Sequence, residues 1–305
     1  MIKGSKILIT GGTGSLGQEL TRQLCEHNQV VVYSRNEERQ YLMKQVFKNA
    51  PVTFYIGDVR DQSTLEYALY GCDLAIHAAA MKDVIMCEDQ PTQTYLNNII
   101  GSKFFIDAVR NISSVKKAIA VSTDKAAAPS NVYGSSKYIM EKMFEEADNH
   151  SEQTFCSVRF GNMINSKGSL ISIWKANPQQ EIKLTHPEIS RFFFTVQDAA
   201  QTVITAMEKA QGGEIWIKKM KKAKIYDILR LITKRTEFEI IGLFPGEKVH
   251  EELVSNNEAR YCHEELDYYV VRPHSLNSNP IPMFSTENAE SFTENELIQL
   301  LDMCS

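Results

Sequence analysis

Ile7-Leu8-Ile9-Thr10-Gly11-Gly12-Thr13-Gly14-Ser15-Leu16-Gly17 decides the fold. A β-branched apolar run passes straight into glycines at 11, 14 and 17, and a helical pattern follows. Glycine permits the tight turn and lets backbone N–H groups approach a pyrophosphate, while the N-terminus of the following helix adds partial positive charge. A lone glycine run is also an ordinary turn. This one lies between the first strand and first helix of a βαβ unit, which makes Gly11, Thr13, Gly14, Ser15, Leu16 and Gly17 candidate cofactor contacts.

Outward from that loop, short β-branched runs alternate with longer helical patterns. The expected strands are Ile7–Thr10, Val30–Ser34, Val52–Gly57, Leu74–Ala79, Ala118–Thr123 and Phe155–Phe160. Between them Ser15–His27, Glu37–Lys48, Gln62–Leu69, Gln93–Arg110 and Tyr133–Asn149 read as helices. The fold class is α/β, a Rossmann-type doubly wound parallel sheet with right-handed crossovers. After about Asn162 the regularity weakens, although Val196–Lys209 and Ile225–Lys234 remain helical in pattern, and a smaller C-terminal substrate-binding lobe is expected there. Ser285-Thr286-Glu287 through Leu301 reads as a capped terminal helix.

Composition narrows the function classes. Among 305 residues, 33 are basic and 38 acidic, for a formal charge of -5 without a basic block, which argues against a nucleic-acid partner. Met1-Ile2-Lys3-Gly4-Ser5 enters a strand almost at once, and no apolar run has the length of a membrane span, so a cytoplasmic protein without a membrane partner is expected. The six cysteines form no CxxC pair and read as reduced thiols, and the seven histidines show no metal spacing; no metal is expected.

The second strand ends at Ser34-Arg35-Asn36, where an NAD site usually carries an acidic residue for the ribose hydroxyls. A guanidinium there favours a 2′-phosphate, hence NADP, with Glu37 and Glu38 still in reach of a ribose. Asp58-Val59 follows the third strand at the adenine edge, and Ala78-Ala79-Ala80 follows the fourth with side chains small enough to admit cofactor. Residues 1–165 are therefore read as an NADP-binding Rossmann domain, with segments near 190–220 returning to it, and 166–305 as mainly the substrate lobe and C-terminal helix. Tyr133 and Lys137 are four apart on one helical face, so the ammonium can lower the phenol pKa and hold the nicotinamide ribose. By itself such a pair is usually a solvated face; the upstream glycine loop and Ser122-Thr123 favour chemistry.

Together with Ser122-Thr123-Asp124-Lys125, these motifs resemble the extended short-chain dehydrogenase/reductases. Thr123-Asp124-Lys125, Arg159-Phe160-Gly161-Asn162, Ser190-Arg191-Phe192 and Pro245-Gly246-Glu247-Lys248-Val249-His250-Glu251 are similar to the polysaccharide-biosynthesis branch, in particular its short soluble C5-inverting UDP-N-acetylglucosamine 4,6-dehydratases. The resemblance implies NADP-dependent dehydration of a UDP-N-acetylhexosamine to a 4-keto-6-deoxy sugar, with C5 inversion, for glycan precursor synthesis. NADP would be tightly held and regenerated each cycle. Tyr133 would take the C-4 hydroxyl proton, Thr123 would hydrogen-bond the C-4 oxygen, Lys125 would remove the C-5 proton, and Asp124 would protonate the departing C-6 hydroxyl. Lys82, Asn162, Arg191, Glu247, Lys248 and His250 are candidate substrate contacts, as is the Gly168-Ser169 turn; structural ion pairs or turn caps are the alternative for these side chains. A homo-oligomer is expected by analogy.

Three positions depart from the family pattern. Phe244 replaces an arginine before Pro-Gly-Glu-Lys, Thr94 stands where the inverting enzymes tend to have cysteine, and Asp83 places a carboxylate close to the expected sugar site. Competing readings on the same residues are a UDP-sugar 4-epimerase, a ketoreductase, a 5,6-dehydratase, or an NADP-binding protein without turnover.

Overall fold

A computed structural model of the chain describes residues 2–164, 170–179 and 181–303. The first half alternates β1 (Lys6–Thr10), α1 (Ser15–Leu24), β2 (Gln29–Ser34), α2 (Glu37–Val46), β3 (Val52–Ile56), α3 (Gln62–Leu69) and β4 (Leu74–His77). Next come α4 (Val84–Asp89), α5 (Pro91–Thr94), a π-helical stretch Tyr95–Ile100, α6 (Gly101–Asn111), β5 (Lys117–Val121), α7 (Val132–Asn149) and β6 (Thr154–Arg159). The second half contributes β7 (Asn162–Met163), α8 (Leu170–Ala176), β8 (Ser190–Phe194), α9 (Val196–Lys209), β9 (Ile215–Lys218), β10 (Lys222–Lys224) and α10 (Ile225–Thr233). It ends with β11 (Glu252–Val254), α11 (Asn256–Ala259), β12 (Cys262–Glu265), β13 (Tyr268–Val271), β14 (Phe284–Ser285) and α12 (Glu294–Asp302).

Nine strands form the central sheet in the order β12-β13-β9-β6-β5-β4-β1-β2-β3, parallel from β3 to β9 and antiparallel at β13 and β12. The alternation along β1 explains its central place. Ile7 and Ile9 pack on one face with α1 and α9, whereas Leu8 packs on the other with α3, α6 and α7, and all three are fully buried. Strand order reverses between β1 and β4, and in such sheets the ligand crevice opens beyond the strand ends at that switch. A small sheet β10-β8-β7 and the pair β11-β14 lie outside the central sheet. No helix among the described residues is long and apolar enough to cross a membrane.

Two expected helices differ. Gln93–Arg110 is interrupted by the π-helical turn Tyr95–Ile100. In it, Asn98 turns inward, accepting from the Met81 N–H at 2.8 Å and donating to the Met81 carbonyl at 2.9 Å and Ser136 Oγ at 3.0 Å. The last helix begins at Glu294, where Thr293 and Glu296 form a capping box. Ser285 instead pairs with Glu252, and Phe284 packs against Phe192 and Tyr269.

Candidate active site

The crevice starts with Gly11, whose φ of +66° places it in the left-handed region. A Cβ there would lie 2.8 Å from the Ala79 nitrogen and 2.9 Å from the Ala78 carbonyl, so only glycine lets the loop after β1 meet the loop after β4. Gly14 then precedes α1, donating its N–H to the Gly11 carbonyl at 2.9 Å. Below this junction, Thr10 Oγ1 accepts from the Ala79 N–H at 3.3 Å and bonds His77 Nδ1 at 2.9 Å. Burial pulls His77 down to about 3, so it serves as a neutral hydrogen-bonding strut.

At the end of β2 the three predicted contacts separate by role. Ser34 Oγ accepts from Gln40 and Asn36 caps α2, so both shape the backbone. Arg35 is exposed, donates to Asn97 Oδ1 at 3.2 Å and lies 3.6 Å from Asp58. Arg60, outside the sequence expectation, grips Asp58 through two bonds of 3.0 and 2.6 Å and with Arg35 holds its carboxyl below the usual value. Two guanidinium groups thus meet on Asp58. Leu16 and Val59 are buried in the core, and Thr13, also buried, accepts from Gln18 through its carbonyl.

The reacting end is built by β5 and α7. Thr123 continues β5 in extended form and caps the 3-10 turn Asp124–Ala126. Gly134 lets α7 approach that turn, since a Cβ there would collide with the Lys125 carbonyl. Asn131 Oδ1 caps the helix from below through the Gly134 N–H at 2.8 Å. Asp124 is fully buried; its Oδ1 accepts from Thr123 Oγ1 at 2.9 Å and Lys125 Nζ at 3.0 Å. Lys125 Nζ lies 3.3 Å from Glu251 Oε1, and Arg191 Nε is 3.9 Å from the same oxygen. Three buried side-chain atoms lack a hydrogen-bond partner among the described residues: Ser122 Oγ, Asp124 Oδ2 and Glu251 Oε2. They cluster at the mouth of β5 and beside Lys125, which marks this as a place prepared for polar ligand atoms.

Electrostatics corrects one expectation. Burial pushes the Tyr133 phenol up to about 12, and the cation pulling it back is Lys125, aided by the Thr123 hydroxyl. Lys137 instead donates to the Val121 carbonyl at 2.6 Å, and burial lowers it to about 8 against the charge of Glu141. The i,i+4 spacing puts both on one helix, but Lys137 turns toward the sheet. Burial would also lower Lys125, yet Asp124 and Glu251 outweigh it and hold the ammonium above the ordinary lysine value. The residues present fit a nicotinamide dinucleotide: a glycine loop that leads from β1 into the start of α1, two arginines on Asp58 beyond β2 and β3, and buried Lys137 with the unpartnered Ser122 Oγ beyond β5.

The predicted substrate side chains are partly engaged within the protein. Ser130 Oγ and Asn131 Nδ2 donate to the Gly246 carbonyl at 2.8 and 3.2 Å, docking the 245–251 segment on the start of α7. Arg191 is buried, bonded to the Ser190 and Val249 carbonyls, and 3.5 Å from Glu247. Lys248 donates to the Ala128 carbonyl, and His250 Nδ1 bonds Ser190 Oγ at 2.9 Å. Asn162 is half-buried on β7, and Lys82 is exposed. Gly168 and Ser169 lie outside the described residues. Asp83 caps α4 through the Met86 N–H at 2.8 Å, which explains the carboxylate without a sugar; Thr94 is buried and donates to the Gln90 carbonyl at 3.1 Å. Among the described residues no cluster of three or more His, Cys, Asp or Glu side chains is arranged to hold a metal ion.

The chain is 37% identical over 282 residues to the UDP-N-acetylglucosamine 4,6-dehydratase (inverting) of Campylobacter jejuni subsp. jejuni serotype O:23/36 (strain 81-176), covering 90% of this chain and 84% of that one. It is 33% identical over 286 residues to the UDP-glucose 4-epimerase of Rickettsia massiliae (strain Mtu5), covering 89% and 84%. The X-ray structure of Pen from Bacillus thuringiensis superposes with a TM-score of 0.91 at 32% identity, covering 99% of this chain and 98% of that one. Residues 7–273 match the family described as polysaccharide biosynthesis protein, and the chain belongs to that family.

Proposed function

We propose that this chain is an NADP-dependent sugar-nucleotide 4,6-dehydratase acting on a UDP-N-acetylhexosamine, with UDP-N-acetylglucosamine the expected substrate and inversion at C-5. The observation that carries the reading is the buried Asp124–Lys125 pair beside Tyr133, with Asp124 Oδ2 unpartnered among the described residues. Epimerisation at C-4 needs a base for the hydroxyl and nothing at C-5. Dehydration needs in addition an acid and a base side by side, and this pair supplies both.

When bound, the cofactor supplies a hydride acceptor at C-4 and a donor at C-6. Tyr133 takes the C-4 hydroxyl proton; burial pushes its phenol up to about 12, and the Lys125 charge and Thr123 hydroxyl are the groups that offset burial in favour of the phenolate. Lys137, which donates to the Val121 carbonyl, is assigned to the nicotinamide ribose. The new C-4 ketone acidifies the C-5 proton. Lys125 rests as an ammonium against the Asp124 carboxylate, so one proton transfer across their 3.0 Å bond yields a neutral amine and a neutral acid together. The amine removes the C-5 proton, the acid protonates the C-6 oxygen, and water leaves as the C5–C6 double bond forms. Lys125 then returns a proton to C-5, and the hydride that the bound cofactor would supply at C-6 would leave no net redox change. Arg35 and Arg60 are the guanidinium groups for a 2′-phosphate, which supports NADP over NAD. The Campylobacter relative's name supports inversion.

A 4-epimerase is the second reading, favoured by the Rickettsia relatives. Incubation with UDP-N-acetylglucosamine in deuterated water separates the two by proton NMR. A C-6 methyl signal with deuterium at C-5 is expected, and the ring coupling constants report the C-5 configuration. Lys125→Ala should abolish C-5 exchange while NADP binding is retained; unimpaired exchange in that variant refutes its role as the base.

A further inference from the structure

Glu251 is buried and takes no part in the chemistry above. Its backbone is fixed on both sides by Thr286, whose hydroxyl accepts from the Glu251 N–H at 3.0 Å and whose N–H donates to the Glu251 carbonyl at 2.8 Å. The main chain that carries the carboxylate is therefore fixed. One oxygen lies 3.3 Å from Lys125 Nζ and 3.9 Å from Arg191 Nε, and the other has no hydrogen-bond partner among the described residues. A lone buried carboxylate oxygen is costly, and such a cost is characteristic of sites arranged for function.

We propose that Glu251 is a positioning residue for the C-5 base: its buried carboxylate holds Lys125 Nζ in the reacting geometry and stabilises the ammonium that forms as the C-5 proton arrives. This rests on the reading of Lys125 as that base. The logic is that of the carboxylate behind a catalytic histidine, which orients the base and stabilises its protonated form without itself taking the proton. Asp124 cannot fill this role throughout, because it must become a neutral acid to release the C-6 oxygen. Once its charge is discharged, Glu251 is the carboxylate still facing the amine.

The charged and titratable groups around Lys125 come from four elements. Asp124 belongs to the turn after β5, Glu251 to the segment before β11, Arg191 to β8, and the Tyr133 phenol to α7. Arg191 opposes the ammonium and is itself balanced by Glu247. Removing the Glu251 charge therefore makes Lys125 lose its proton at lower pH and makes it a weaker base once neutral.

Those two effects give a signature that a merely structural role lacks. Deuterium incorporation at C-5 of UDP-N-acetylglucosamine is followed by NMR from about pH 6 to about pH 11, a range in which the wild-type rate should still be rising, because Asp124 and Glu251 hold the ammonium above the ordinary lysine value. In Glu251→Gln the acid limb should move to lower pH by roughly one unit or more, the usual effect of removing an opposite charge at this distance. Its plateau should fall about tenfold to a hundredfold, as loss of one preorganised electrostatic partner does. Glu251→Asp keeps the charge but draws it back, so its limb should move less; it carries the same test should Glu251→Gln fail to fold. A plateau loss with an unmoved limb in both variants, with melting temperature and NADP affinity unchanged, overturns the proposal. Persistent exchange in Lys125→Ala overturns the base assignment itself, and the Glu251 role with it; an unmoved limb where Lys125→Ala is inert overturns Glu251 alone.

Discussion

Glu141→Leu should be among the most destabilising single substitutions at the junction of the sheet with the C-terminal segments. Arg159, at the end of β6, is fully buried and uses all five guanidinium donors. Nε and an Nη bond Glu141 at 2.8 and 2.6 Å, two donors reach Glu258 at 2.9 and 2.6 Å, and one reaches the Leu253 carbonyl at 3.0 Å. The Glu141 side chain is 1% exposed and that of Glu258 18%. Removing Glu141 strips two bonds and half the compensating charge from a cation water does not reach, at a cost of about 3–5 kcal/mol. Glu258→Leu should cost less, about 1.5–3 kcal/mol, because the vacated side is partly open to solvent. Glu141→Leu combined with Arg159→Met should recover much of the single-variant loss, since the buried charge goes with its partner. Urea unfolding followed by fluorescence of buried Trp216 reads all three. A Glu141→Leu variant within about 1 kcal/mol of wild type, or a double variant no more stable than the single one, refutes the reasoning.

Two further outcomes follow from the cofactor end. Gly11→Ala combines a left-handed backbone with a Cβ 2.8 Å from the Ala79 nitrogen, so stability should fall by about 2–4 kcal/mol and, with the loop after β1 displaced, NADP affinity by more than tenfold; calorimetry with normal affinity counts against a cofactor role for that loop. Because burial lowers Lys137 to about 8, the unfolded chain holds a proton that the native lysine has released between about pH 8 and its ordinary value near 10.5. Stability should rise with pH through that window, and the rise should be absent from Lys137→Met; identical pH–stability slopes contradict the placement of Lys137.

Much of this molecule is legible locally. The β1–loop–α1 junction follows from alternation and three glycines, and the Tyr133–Lys137 spacing places both residues on one helix. What local pattern does not reveal is where a side chain turns when several partners compete. Lys137 is drawn to the Val121 carbonyl and away from the phenol, Asp83 serves a helix N-terminus, and Asn98 widens its own helix to tie down Met81. Glu251 was visible only as the end of a motif. Its meeting with Lys125 requires the 245–251 segment to dock on α7, a contact between stretches far apart in the chain. The one local signal for Arg60 was its place directly after Asp58-Val59.

The central claim is that hydride leaves C-4 and returns to C-6 of the same sugar. UDP-N-acetylglucosamine deuterated at C-4 tests it most directly, with the product read by mass spectrometry and deuterium NMR. The deuterium should appear at C-6 of a 6-deoxy-4-keto sugar, with NADP unchanged. Deuterium remaining at C-4 of an epimer, or lost to the cofactor pool, contradicts dehydration.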